Sequence, residues 1–338
     1  MMACTCIPMS TGAPRRQRIT SAANPAPAFS APAVSCREAP PDQSTARSRH
    51  YIDQMIRIVL LGRSGNHLFQ YAFGRVLAKR HQVPLVLDAS WFNDDGWREV
   101  SHLLQLPLQA KVTRRASLAA RALLKLTDKH YWEYLGLPLI RESELNQSFC
   151  PEFLNAPADC VVRGYFQSYQ YFSSIEDELR TELRGLLEEA VPYEAPPETQ
   201  VAVHVRRTDF LNHAAFQVCD LAYYQRAMKR MRDLVPGAHF MVFSDDPAWC
   251  AQNLTGPNVE IAAPPRAARG PLTDLVKMSR SHHHIIANSS YSWWAAWLGK
   301  KEGQRVLMPD AWFRGDIHAP IEDKCCPGWE LVPTISAS

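Results

Sequence analysis

No apolar run in this 338-residue chain approaches the ~20 residues needed to cross a bilayer. The N-terminus also lacks an apolar secretory core, so neither a spanning helix nor an exported precursor is expected. Cysteine occurs nine times but never at a zinc spacing, and the odd count reads as reduced thiols rather than a disulfide framework. The net charge of +3 is too small to argue for a nucleic-acid partner, although local basic faces remain possible. There is no internal repeat. Residues 1–54 lack helical and strand periodicity alike; rich in Ala, Pro, Ser, Thr and Arg, they cannot bury enough apolar surface to offset their ordering entropy. They are expected to be a dispensable disordered extension, or the product of a start placed too early, in preference to a transit peptide, which several arginines and the absence of any acid before Glu38 would otherwise suggest.

What is present begins at Met55. The run 56-IRIVLL-61 reads as a buried strand, GRSGN as a turn, 67-HLFQYAFGRVLAKRH-81 as an amphipathic helix and 84-PLVLDAS-90 as a second strand. That is a right-handed βαβ unit, the seed of a parallel sheet. Residues 101–137 read as mostly helical. Lys111, Arg114, Arg115, Arg121, Lys125 and Lys129 give them a basic face, either plainly solvated or a peripheral contact with anionic lipid. A strand at 160–166 precedes a helix around 173–190, and 191-VPYEAPPETQ-200 is the linker, with three prolines and no periodicity. A second series follows: strands at 201–206, 238–244, 258–263, 283–287 and 304–309, and helices at 221–234, near 247–254, 271–281 and 291–300. The fold class is therefore α/β, with two Rossmann-like domains, 55–195 and 196–338, facing a cleft.

In open α/β sheets, ligands bind beyond the carboxyl ends of strands, where helix N-termini point amides outward. Four segments occupy such positions. The first, 62-GRSGN-66, allows a tight turn and close approach of backbone to a ligand, but it fits neither a P-loop nor G-x-G-x-x-G. In the second, 204-HVRRTD-209, two guanidiniums stand beside Asp209. Alternation puts Arg206 on the cleft side with His204, where a planar fork would clamp an anion, and an internal salt bridge is the even alternative for Arg207. In the third, 243-FSDD-246, Asp245 or Asp246 is read as a helix N-cap. In the fourth, 287-ANSSYSWWAAWLG-299, Ser289 and Ser290 stand at a helix start, where hydroxyls and amides would receive an oxygen anion, or where one serine simply caps. Trp293 and Trp297, four apart, are core against the sheet. His282–His284 alternate faces on a strand, so they cannot share one metal ion and read as structural.

Together these segments resemble the α-1,2-fucosyltransferase family, glycosyltransferase family 11. The marks are GRSGNHLFQYAFG (62–74), GYFQSYQYF (164–172), HVRRTDF (204–210), FSDDPAWC (243–250), DLVKMSRSHHHIIANSSYSWWAAWL (274–298) and VLMPDAWF (306–313). They cover most of residues 55–330. The resemblance implies a glycosyltransferase-B fold, an acceptor-side first domain, a second domain binding GDP-fucose as donor substrate, no cofactor, and inversion at the anomeric carbon. It places Arg206 on the donor phosphates, His204 and Asp274 near guanosine, Ser289, Ser290 and Tyr291 near the diphosphate, and Asn66 beside the reacting centre. Two departures stand out: His67 follows Gly65-Asn66 where the family has Gln, and Thr208 replaces a common Gly.

Many glycosyltransferases hold Mg²⁺ or Mn²⁺ with Asp-x-Asp. This chain has no such pair, so Arg206 and the helix start at 288–291 are expected to neutralise the leaving group without a metal. Asp209 is the nearest base in sequence, or else it orients Arg206 or Arg207. The expected acceptor is O-2 of a terminal galactose on a glycan, lipid-linked glycans included, and the expected location is cytoplasmic, with peripheral membrane contact at most. The rival readings are another fucosyl linkage (α-1,6 or protein O-fucosylation) and a non-catalytic binder of sugar nucleotides or glycans.

Overall fold

Ile56–Val59 (β1) is buried along its whole length, and it lies at the centre of a five-stranded parallel sheet. Such a strand is covered on both faces, so a continuous apolar run replaces alternation. Leu85–Asp88 (β2) and Cys160–Arg163 (β5) pair with it on either side. Lys111–Thr113 (β3) and Leu139–Arg141 (β4) are the edges, giving the order β3-β2-β1-β5-β4. The structure, a computed structural model, describes residues 54–90, 92, 102–113, 136–192, 194–263 and 270–334. All of them lie in one compact unit within 48–338. The expected N-terminal extension and five residues of the basic face (114, 115, 121, 125 and 129) lie outside the described residues. Lys111 does not continue a helix as expected but opens the edge strand β3.

The second sheet is also parallel, built from Gln200–Val205 (β6), His239–Ser244 (β7), Val259–Ile261 (β8), His283–Ile285 (β9), Val306–Pro309 (β10) and Glu330–Val332 (β11). Its order, β8-β7-β6-β9-β10-β11, is 3-2-1-4-5-6 in order of appearance, the doubly wound pattern of dinucleotide-binding sheets. Two Rossmann-like α/β sheets are thus present, the expected glycosyltransferase-B build. Among the described residues the α-helices with assigned bounds are Ser64–His81 (α1), Glu176–Ala190 (α2), Leu221–Leu234 (α3), Pro247–Asn253 (α4), Gly270–Arg280 (α5) and Ser290–Leu298 (α6). No helix among the described residues is long and apolar enough to cross a membrane.

Helices α1 and α6 carry the contact between the two sheets' layers. Neither is amphipathic in the expected way. α1 is buried almost throughout from Gly65 to Ala78, and α6 from Ser292 to Leu298, because each is covered on all sides. The tryptophans of α6 do not simply face their own sheet. Phe69 of α1 lies 4.6 Å from Trp293 and 5.1 Å from Trp294, and Phe172, in the 3₁₀ turn before α2, stacks on Trp294 at 5.4 Å. The aromatic bulk therefore glues one α/β layer to the other. Gly65 makes that approach possible, since a Cβ there would lie 2.5 Å from the Tyr291 backbone nitrogen. From the far end, α2 supplies Arg180, whose Nε donates to the Trp297 carbonyl at 3.1 Å, and Arg184, whose Nη2 donates to the Lys300 carbonyl at 2.7 Å. These guanidiniums bind carbonyls in the last turn of α6 and just beyond it, where helical partners run out.

Candidate functional site

In the second sheet the strand order reverses between β6 and β9, which are hydrogen-bonded neighbours. A switch point of this kind opens a crevice beyond the strands' carboxyl ends. Arg206 follows β6 and Asn288–Tyr291 follows β9, so the two expected anion-binding segments meet there. Arg206 is mostly buried and held from two sides. Its Nη2 is 2.6 Å from Asp209 Oδ1 and its Nη1 is 3.1 Å from Asp245 Oδ2. Asp245 is fixed in turn by the amides of Arg207 (2.9 Å) and Thr208 (3.2 Å) and by the Thr208 hydroxyl (2.5 Å). Thr208 thus anchors the carboxylate that aims Arg206.

Arg207 turns away from this cluster. Its Nε donates to Asp246 Oδ2 at 3.1 Å, and its guanidinium lies 3.9 Å from the centroid of the Trp249 ring. Asp246 also caps α4 by accepting from the Trp249 amide at 3.1 Å. Of the two aspartates read as caps, Asp246 is the cap, and Asp245 is an orienting partner. Asp209 pairs with Arg206, not Arg207, and also faces Arg63 at 3.8 Å. Burial pushes its carboxyl up, but the hydrogen bond and charge of Arg206, with Arg63 behind, hold it below the usual range. A carboxylate so stabilised is a weak base.

His204 is neutral: burial, then the Arg206 charge, lowers it to about 3, against a small opposing pull from Asp245. Its Nδ1 is buried without a hydrogen-bond partner, the kind of orphaned atom that a ligand can satisfy. The ring lies 5.7 Å from that of Tyr291. Burial, then the charge of Asp274, raises the Tyr291 phenol well above its ordinary value, and burial raises Asp274 itself to about 6. His204 and Tyr291 therefore stand beside Arg206, with Asp274 next to Tyr291.

Ser289 is the N-cap position of α6 but makes no side-chain capping bond. The Ser290 hydroxyl does not stand free for an anion as expected; it donates to Asn66 Oδ1 at 2.7 Å. Asn66 lies beyond β1, and its oxygen also accepts from Gln167 Nε2 at 2.7 Å. Gln167 lies beyond β5, so the switch point of the first sheet, between β1 and β5, touches that of the second. The turn leading to Gln167 is held by Glu142 Oε2, which accepts from the amides of Tyr165 (2.7 Å) and Phe166 (3.0 Å). Those bonds sustain a left-handed Phe166 at φ 50. The buried side chain of Gln70 ties the same two loops, donating to the Gly164 carbonyl at 2.8 Å and accepting from the Leu61 amide at 3.2 Å.

His67 is fully buried, edge-on to Phe92 at 5.6 Å, and burial lowers it to about 4, so it stays uncharged. His282, His283 and His284 are each bound to different backbone groups, the Glu302 carbonyl, the Arg305 amide and the Met278 carbonyl. The glycines of 62-GRSGN-66 are expected to serve either a structural turn or close approach of a ligand, and the structure shows a packing role for both. Gly65 in fact makes room for α6, and Gly62, at φ +74, makes room for Asn66. Arg63, Gln167 and Gln70 are not singled out in the sequence, although Arg63 lies in a stretch weighed for a site and Gln167 and Gln70 lie in family marks; Asp245 is weighed there only as a helix cap. Membership of a motif was visible; which side chain faces which was not.

A sequence model of glycosyl transferase family 11 matches residues 150–332, more than half of the chain. The O-antigen biosynthesis glycosyltransferase WbnK of Escherichia coli is 28% identical over 287 residues, 76% of this chain and 94% of that one. An alpha-1,2-colitosyltransferase of Escherichia coli is 29% identical over 191 residues, 50% of this chain and 61% of the relative. The galactoside 2-alpha-L-fucosyltransferase Sec1 of Mus musculus is 29% identical over 130 residues, spanning 37% of this chain and 35% of that one. Among solved structures, ADP-heptose lps heptosyltransferase II of E. coli aligns at a TM-score of 0.44 with 12% identity, covering 84% of this chain and 91% of that one. A GDP complex of Arabidopsis thaliana FUT1 aligns at 0.43 with 12% identity, covering 84% and 77%.

Proposed function

The chain belongs to glycosyl transferase family 11, and from that premise we propose that it transfers L-fucose from GDP-fucose to O-2 of a terminal galactose. Transfer inverts the anomeric carbon and needs no divalent ion. In this reading residues 55–195 form the acceptor side and residues 196–338 hold the donor. The observation that carries the reading is the convergence of Arg206 and the start of α6 at the β6–β9 switch point, beside the neutral His204 and Asp274. The relatives named for α-1,2 transfer and for 2-alpha-fucosylation of galactosides support the linkage, and the name of WbnK supports a surface-glycan acceptor.

The chemistry follows from charge. The galactose hydroxyl attacks the anomeric carbon from the face opposite GDP; the new C–O bond forms as the bond to the β-phosphate oxygen breaks. The electron pair leaves with the phosphate, so negative charge grows there. Arg206, its plane set by Asp209 and Asp245, and the outward amides of the first turn of α6 meet that charge. Preorganised donors of this kind each contribute ~3–4 kcal/mol to lowering a barrier. The acceptor proton needs a base stronger than Asp209, which serves Arg206. The second reading is α-1,2 transfer of colitose, the sugar named for the second relative.

A transfer assay with GDP-fucose against a panel of galactosides, run with and without EDTA, tests this. Linkage analysis of the lactose product is expected to show fucose on O-2, at an EDTA-independent rate. Fucose on another oxygen, or loss of activity in EDTA restored by Mn²⁺, would overturn the corresponding part. Running a colitose donor beside fucose separates the two sugars.

A further inference from the structure

The hydrogen bonds around Asn66 form a relay with a single allowed sense. Trp312, just beyond β10, donates its indole Nε1–H to Gln167 Oε1 at 2.9 Å. An indole can only donate, so the Gln167 amide has one orientation: oxygen toward Trp312, NH₂ toward Asn66. That NH₂ requires an acceptor, which assigns Oδ1 of Asn66 to the Gln167 side, where the Ser290 hydroxyl also reaches it. The Asn66 NH₂ is thereby forced to the other side, over Gly62. A Cβ at Gly62 would lie 2.2 Å from Nδ2, so only glycine leaves that NH₂ in place. The same Gly62–Arg63 turn carries Arg63 toward Asp209 and hence toward Arg206. Gln167 and Trp312 are both buried, where a wrongly turned amide leaves a donor and an acceptor unmet.

We infer that Gln167 and Trp312 are positioning residues that lock the Asn66 carboxamide with its NH₂ presented, as a hydrogen-bond donor, to an electron-rich oxygen of the bound sugar nucleotide. The inference rests on the proposed glycosyl transfer but adds to it. Toward the substrate Asn66 acts as a donor and not as an acceptor, and its sense is dictated by an indole on the opposite sheet. The four members lie beyond β1, β5, β9 and β10, so the relay is complete only when the ends of both sheets are in register.

The test is a double-mutant cycle with kcat, donor KM and melting temperature measured together. Gln167→Glu retains the acceptor for Trp312 but cannot donate to Asn66, whose amide then turns its oxygen toward the substrate. Loss of one preorganised donor predicts a kcat lower by ~100- to 1000-fold, with donor KM nearly unchanged. Asn66→Ala is expected to lose at least as much, and adding Gln167→Glu to it should cost nothing further. Asn66→Asp, nearly isosteric, retains the contacts to Gln167 and Ser290 but has no NH₂, and should be as poor as Asn66→Ala. Trp312→Phe keeps the ring, frees Gln167 to turn either way, and should give a smaller loss in kcat.

Additive losses in the cycle, a wild-type rate in Asn66→Asp, or a Gln167→Glu defect confined to melting temperature would each overturn the assignment. Should Gln167→Glu fail to fold, Asn66→Asp and Trp312→Phe decide it. The wild type is first assayed against a panel of sugar-nucleotide donors, and the cycle is run with whichever donor turns over. Failure of fucosyl transfer and failure of the relay are then separate results.

Discussion

The loops beyond the two sheets' central strands are built from different chemistry. Beyond β6 the site is ionic, with Arg206 between Asp209 and Asp245, and Arg207 on Asp246. Beyond β1 and β5 it is mostly carboxamide and glycine: Gln167 donates to Asn66, and Gln70 ties the Gly164 carbonyl to the Leu61 amide. Charge binds over a wide range of geometries, whereas an amide is useful only when its two ends are told apart. The ionic half can therefore be expected to supply binding and charge stabilisation, and the neutral half orientation. That difference also explains why the neutral half is so heavily braced by buried partners, while Arg63, the cation it points toward Asp209, is largely exposed.

The comparison breaks most visibly at the two adjacent arginines. Arg206→Lys retains a charge but loses the planar fork. Because the leaving phosphate gains charge as its bond breaks, the damage should fall on kcat, by at least ~100-fold. Arg207→Lys gives up the Asp246 pair and the stacking on Trp249, neither of which touches the cluster around Arg206. It should show near-normal turnover and a melting temperature lower by a few degrees, as expected for a loss of ~1 kcal/mol. Turnover and melting curves of the two variants side by side are the check, and an inactive but fully stable Arg207→Lys would reverse the roles.

Gly65→Ala sharpens the same contrast from the neutral side. Its methyl would meet the backbone at the start of α6, which cannot swing away like a side chain. Overpacking of this kind costs ~1–3 kcal/mol, and relief comes by moving α1 and α6 apart. Both the melting temperature and kcat should fall, the latter because Asn66 and Ser290 separate. A stable variant with normal kcat would show that the register of the two sheets is less strict than the relay requires.

Much of this architecture was legible beforehand, for physical reasons. Buried parallel strands write continuous apolar runs, and helices write capped segments, so β1, β2, β5 and β6–β10 were found within a few residues of their true ends. The three-residue strands β3, β4 and β11 were missed because short edge strands bury little and leave no alternation to read; β3 even fell inside a stretch whose basic residues suggested a helix. Arg206 and Arg207 were told apart by strand alternation. Their partners were not, since Asp209 is near in sequence but Asp245 and Asp246 arrive from the neighbouring strand. The amide relay was beyond reach for the same reason: Gln167 is 101 residues and Ser290 224 residues from Asn66. Donor and acceptor sense exists only once those groups are in contact.

The smallest expected effect concerns the edge of the ionic half, where Asp274 is pushed up to about 6 by burial, with Lys277 opposing only weakly. A carboxyl raised above its unfolded value favours the folded state most when protonated, so this group's contribution is greatest at pH below ~4 and falls as pH rises through 6. Ligand binding should run the other way. If the carboxylate accepts N–H donors from a guanine ring, binding selects the ionised form, and GDP affinity should rise as pH increases from 5 to 7. Because a group with a pKa of about 6 is only ~10% ionised at pH 5, the gain from this residue is limited to several-fold. Titration calorimetry of GDP at pH 5, 6 and 7 should show that trend in the wild type. In Asp274→Asn, which cannot ionise, affinity should be lower at pH 7 and the trend flattened. The same pH dependence in both proteins would remove Asp274 from the nucleotide and leave its raised carboxyl as a feature of packing alone.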